Sequence, residues 1–157
     1  MGFTRNMEKK LVRILETICG AFLVAMVALL FAQVGTRYIL QGSLLWAGEI
    51  AVWFFVWITY LGAVILYINK KHIVVDILTT FLPEKVNKTI EMISSIIILI
   101  FLLIVFKESI PVVLSYSKQT ATSIALSKKY LFSSLSVSTG LMILYTIYSF
   151  IQKLRRR

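Results

Sequence analysis

Charge is scarce in this 157-residue chain: only 15% of its residues are Asp, Glu, Lys or Arg, against roughly 25% in soluble proteins. Proline occurs twice and glycine seven times, so collagen-like and Pro/Gly-rich disordered classes are excluded. The single cysteine, Cys19, allows no internal disulfide and rules out thiol chemistry that needs a cysteine pair. It lies inside an apolar run, where it reads as a small packing residue. The single histidine, His72, cannot supply two axial haem ligands or a His/Cys metal cluster. No catalytic residues, cofactor-binding residues or metal ligands are therefore expected in the chain. A membrane anchor subunit of a redox enzyme is disfavoured on the same counts.

What the chain has in abundance is apolar surface. Hydrophobic residues make up 59% and the mean hydropathy is +0.86. Too few polar side chains remain to cover a water-facing surface, so the class is an all-α membrane protein. The 17 Lys and Arg against 7 Asp and Glu give a net charge of +10, but they cluster beside the apolar runs. That is a topology signal and not a nucleic-acid surface, and no nucleic-acid partner is expected.

A bilayer core of about 30 Å takes roughly 20 residues of helix. Four stretches qualify: Thr17 to Thr36, Ile50 to Asn69, a region around Met92 to Phe106, and Tyr130 to Gln152. With flanks, the expected spans are about 14–37, 49–69, 88–110 and 130–152, forming a single four-helix domain over 1–157. Pro111 is expected to kink or end the third. The first stretch is read as a retained anchor, since it is longer than a signal-peptide core and no A-x-A-like site follows.

Orientation follows the basic residues. Arg5, Lys9, Lys10, Arg13, Lys70, Lys71, Lys85, Lys88, Lys153, Arg155, Arg156 and Arg157 fall on one side, and Arg37, Lys107, Lys118, Lys128 and Lys129 on the other. The positive-inside rule then places both termini and the middle connection in the cytoplasm. That connection carries Ile73, Val74, Ile77, Leu78, Phe81 and Leu82 at helical spacing, with His72, Asp76, Thr79 and Thr80 opposite. The pattern predicts a short amphipathic interfacial helix over about 72–82, between the second and third spans. His72 and Asp76 read as a water-facing polar pair or as a contact for a partner's loop. The outer segment Ser115 to Ser127 reads equally as a solvated connection or a weak helix.

Within the apolar cores there is no Asp, Glu, His, Lys or Arg. Such a residue is the usual mark of a proton or ion pathway. Glu49 opens the second span, where the helix dipole favours a carboxylate, and a pair with Arg37 across the first connection is the sharper alternative. Trp46 suits the membrane interface. Trp53 and Trp57, four apart, share a face for lipid or for a protein partner, and Gly62 beside Ala63 permits close helix approach.

From Leu45 to Pro83 the chain reads LWAGEIAVWFFVWITYLGAVILYINKKHIVVDILTTFLP. Trp46 and Glu49, then Trp57, Gly62-Ala63, His72-Ile73, Val75-Asp76 and Leu82-Pro83 resemble the small membrane subunit of the tripartite ATP-independent periplasmic (TRAP) transporters, the DctQ-like family. The resemblance implies a bacterial inner-membrane complex in which a periplasmic substrate-binding protein delivers an organic acid, such as a C4-dicarboxylate or a sialic acid. A large permease subunit then carries substrate and Na+ by an elevator motion. It further implies that the small subunit binds the large one as static scaffold and has no substrate or sodium site itself. On that picture Trp46, Trp53, Trp57, Gly62, Ile73, Ile77 and Phe81 are candidates for contact with the large subunit or with phospholipids between the two. Lys118, Lys128 and Lys129 are candidates for docking the binding protein. The rival reading is a self-sufficient homodimeric four-helix carrier, for which Glu16 is the nearest candidate carboxylate.

Overall fold

The structure is a computed structural model that describes the backbone of residues 2–39, 44–79 and 84–155 and the side chains of 8–39, 44–69, 90 and 92–151. Four helices follow one another: α1 (Gly2–Ile39), α2 (Leu45–Thr79), α3 (Glu84–Ser115) and α4 (Lys129–Arg155). Each contains a segment long and apolar enough to cross a membrane: Glu8–Ile39, Leu45–Asn69, Met92–Ser115 and Lys129–Ile151. The chain is an all-helical, multi-pass membrane protein. The starts of α1 and α3 and the ends of α2 and α4 lie at one end of the molecule, here the terminal end. The end of α1, the start of α2 and the α3–α4 connection lie at the opposite, loop end.

Two expectations about helix boundaries change. α2 runs without interruption through Lys70–Thr79, so residues 72–79 continue this helix beyond the apolar segment and do not start a separate one. Between Asn69 and Thr79 there is neither Gly nor Pro to break the backbone ladder. Residues 80–82, with Phe81, and the side chains of His72, Ile73, Asp76 and Ile77 lie outside the described residues. Pro111 likewise does not end α3, which continues to Ser115. Proline there removes one donor from the ladder, a loss that membrane helices tolerate where nearby groups re-satisfy the freed carbonyl.

α1 and α2, with 38 and 35 residues, form a long antiparallel hairpin. At 1.5 Å per residue each is over 50 Å long, well beyond a bilayer core of about 30 Å. Phe22 packs on Phe54 with the rings tilted by 31° and their centroids 5.1 Å apart. α2 packs on α1 and on α4, α4 packs on α3, and α2 touches α3 lightly. The bundle is therefore an open array, α1–α2–α4–α3, in which, among the described residues, α1 packs its backbone against neither α3 nor α4. Near the terminal end side chains from three helices converge, in a cluster of Leu15, Leu61, Val64, Ile68 and Tyr145.

The α2–α4–α3 seams are built on small hydroxyl residues. Ser109, Ser134, Ser138, Thr139 and Thr146 are buried, where long side chains would hold the helices apart. Ser109 Oγ donates to the Phe106 carbonyl at 2.7 Å and lies 2.8 Å from Ser136 Oγ across the α3–α4 seam. Ser134, Thr139 and Thr146 return their hydroxyls to carbonyls of their own helix, so close packing does not leave them unsatisfied. Gly140 sits where Phe106 crosses, with room for a methyl group 3.5 Å from Phe106 Cε2.

The open array leaves much surface uncovered. The accessible area is 11230 Å², whereas a compact 17.9 kDa protein exposes about 8,000 Å². Phe31, Val24, Ile97, Phe101 and Leu144 are each more than 60% exposed. Such side chains are stable only in lipid or against a membrane partner.

Candidate functional site: the loop end and the uncovered helix faces

At the loop end, Glu49 in the first turns of α2 reaches across to the α3–α4 connection. Its Oε1 accepts the Thr122 N–H at 2.9 Å and its Oε2 accepts the Ser123 N–H at 2.7 Å. One carboxylate thus binds two successive backbone donors, a bidentate, charge-assisted arrangement. Lys128 is close enough to act on the same charge. The alternative of an ion pair with Arg37 is not seen among the described residues: Arg37 is exposed, and Glu49 is committed to the loop.

The connection itself, undecided by its composition, is an ordered hairpin. Thr120 and Ser127 form an antiparallel bridge, Ala121 N–H donates to Leu126 O at 2.9 Å, and Lys128 N–H donates to Gln119 O at 2.8 Å. Ser127 Oγ donates to the Ser117 carbonyl at 2.8 Å and accepts the Lys129 N–H at 3.4 Å, so it ties the hairpin and caps α4 together. Tyr116 stacks on Phe132 at 4.1 Å, fixing the hairpin's root to α4. Ala121 is buried while Lys118, Gln119, Thr122 and Ser123 are exposed. Of the three candidate docking lysines, Lys118 projects freely. Lys128 and Lys129 are half-buried, the latter with its ammonium 5.0 Å from the Tyr130 ring.

The tryptophans part company. Trp46 is 43% exposed at the loop end of α2. Trp57 turns inward: its indole N–H donates to the Tyr130 carbonyl at 3.2 Å and its ring packs against the Leu61–Val64–Tyr145 cluster. It is used within the chain, at the start of α4, and stays partly exposed. Trp53 is half-buried. Gly62 does not mediate contact between helices of this chain, since a Cβ placed on it meets nothing within 4 Å. It lies on the uncovered side of α2 with Val52, Phe55, Ala63 and Leu66.

Several contacts were not singled out from the sequence. Gln33 of α1 lies against Gly48 of α2, so close that a Cβ there would be 3.1 Å from its Nε2. Tyr67 and Thr146 share a 2.7 Å hydrogen bond between α2 and α4. The available signal was the run of Ser and Thr along an otherwise apolar α4, because hydroxyl residues in a span tend to face other helices.

Comparison with known proteins agrees with this architecture. The chain is 26% identical over 137 residues to the sialic acid TRAP transporter permease protein SiaT of Haemophilus influenzae, covering 87% of this chain and 22% of that one. It is 28% identical over 133 residues to a TRAP transporter small permease protein of Haemophilus influenzae, covering 83% of this chain and 81% of that one. It is 36% identical over 73 residues to the C4-dicarboxylate TRAP transporter small permease protein DctQ of Vibrio cholerae, covering 46% and 32%. The chain thus spans about a fifth of the sialic acid permease it matches. The family described as tripartite ATP-independent periplasmic transporters, DctQ component, matches residues 26–156, and this chain belongs to it.

Proposed function

We propose that this chain is the small permease subunit of a sodium-coupled transporter for organic acids. In this role it binds the large permease subunit as part of the static scaffold of an elevator mechanism. What carries the reading is the uncovered surface: among the four apolar segments only 6% to 33% of residues are buried within the chain. A four-helix protein that worked alone would have reason to close around a pathway, whereas an open array offers a broad flank to another membrane protein. A carrier domain that shifts along the membrane normal needs a neighbour that does not shift with it. Long apolar helices resist displacement because any shift exposes hydrocarbon-facing side chains to water.

Relatives named for sialic acid and for C4-dicarboxylate both handle carboxylates, which supports an organic acid as the substrate class. On this reading Na+ and substrate are held by the large subunit. This chain needs no cofactor and catalyses no reaction. Its place is the bacterial inner membrane with both termini cytoplasmic, phospholipids fill gaps between the subunits, and the hairpin end helps to dock the periplasmic binding protein.

Two measurements test this. Copurification of the tagged chain with a large permease, and sodium-dependent uptake only when both are present with the binding protein, are the expected results. Organic-anion transport by the chain alone in liposomes would instead make it a self-sufficient carrier.

A further inference from the structure

We infer that Glu49 is a positioning residue: its carboxylate latches the α3–α4 hairpin in one conformation, and docking of the soluble binding protein depends on that latched shape. The functional half of this rests on the docking role proposed above, while the latch stands on the geometry alone.

The connection over residues 116–128 is longer than the 2–8 residues that antiparallel helices in a bundle ordinarily use. Ordering each additional backbone residue costs conformational entropy, so a mere connection has no reason to be fixed. Yet it is held at three places. The Tyr116–Phe132 stack and Ser127 hold its root, and the Gln119–Lys128 and Ala121–Leu126 backbone bonds hold its arms. Glu49 holds its tip, from a different pair of helices.

The tip is where the local bonds run out. Thr122 and Ser123 follow the bonded Ala121 and have no cross-hairpin backbone partner, so their N–H groups would otherwise face solvent. Glu49 supplies the acceptors and in doing so sets the hairpin relative to the α1–α2 pair. Its negative charge is spent on that contact and beside Lys128. The loop end therefore presents Arg37 and Lys118 as exposed cations, a surface complementary to an acidic patch on a soluble protein.

The experiment compares wild type, Glu49→Gln and Lys118→Glu in the complete transporter in nanodiscs. It reads hydrogen exchange at the Thr122 and Ser123 amides and the affinity of the transporter's own soluble binding protein. Glu49→Gln is expected to speed exchange at both amides at least tenfold, to leave helix amides unchanged and to weaken docking about tenfold. Lys118→Glu is expected to weaken docking with no change in exchange. Unchanged exchange in Glu49→Gln overturns the latch. Faster exchange with unaltered docking overturns the positioning role. Unaltered docking in Lys118→Glu removes the acidic-patch docking reading while leaving the latch intact. If Glu49→Gln fails to accumulate, Ser123→Pro deletes one donor from the hairpin side and is read by exchange at the remaining Thr122 amide and by docking.

Discussion

The Tyr67 hydroxyl lies 2.7 Å from Thr146 Oγ1, joining α2 to α4 at the level where the Tyr67 and Tyr145 rings meet edge to face, 6.1 Å apart. Thr146 also donates to the Met142 carbonyl, so the Tyr67 proton points to the Thr146 oxygen in the arrangement that satisfies both groups. Interhelical hydrogen bonds in bilayers average about 0.6 kcal/mol. A double-mutant cycle with Tyr67→Phe and Thr146→Val, followed by unfolding in mixed micelles, is expected to show coupling of about that size. Strictly additive losses would mean that the two hydroxyls do not interact.

Ser138 offers the opposite case. It is 1% exposed and its Oγ has no hydrogen-bond partner among the described residues. A buried hydroxyl without a partner costs about 1–3 kcal/mol of desolvation in proteins. Ser138→Ala is therefore expected to leave stability unchanged or to raise it by up to about 1 kcal/mol. Ser109→Ala should lower it, because it breaks the bond to Ser136 across the α3–α4 seam. Thermal unfolding of the two variants side by side checks the contrast.

Glycine substitutions should separate two helix crossings. A Cβ on Gly140 meets Phe106 at an ordinary 3.5 Å, so Gly140→Ala gains helix propensity at little steric cost, up to about 1 kcal/mol. A Cβ on Gly48 comes within 3.1 Å of Gln33 Nε2, and that side chain must move. Gly48→Ala is expected to gain less than Gly140→Ala, and adding Gln33→Ala to it should recover the difference in midpoint temperature.

Single-tryptophan variants report which indoles face hydrocarbon or the interface. Trp46, 43% exposed, should be quenched strongly by brominated lipids, and Trp57 weakly, because its ring packs on the α2–α4 cluster. Trp57→Phe should also cost roughly 0.5–1.5 kcal/mol through loss of the bond to the Tyr130 carbonyl. Equal quenching of both residues would place Trp57 outward and contradict the structure.

Composition and hydropathy fixed what does not require knowing who packs on whom. Twenty-odd apolar residues without charge can satisfy their backbone in lipid only as a helix, so the four spans were legible in Thr17–Thr36, Ile50–Asn69, Met92–Phe106 and Tyr130–Gln152. The order of Trp46, Glu49, Trp57, Gly62 and His72 was enough to suggest the family, because it is a one-dimensional pattern. The partners of those same residues were not legible. Whether Glu49 meets Arg37 or the Thr122–Ser123 backbone depends on where a loop more than seventy positions away comes to rest. Whether Trp57 faces lipid or α4 depends on how α4 crosses α2, and in a uniformly apolar helix no polar face signals the inward side. Apolarity determined that the chain enters the membrane. The tertiary structure alone decided which sides of its helices close on each other, because in lipid that choice rests on shape and a few hydrogen bonds and not on hydrophobicity.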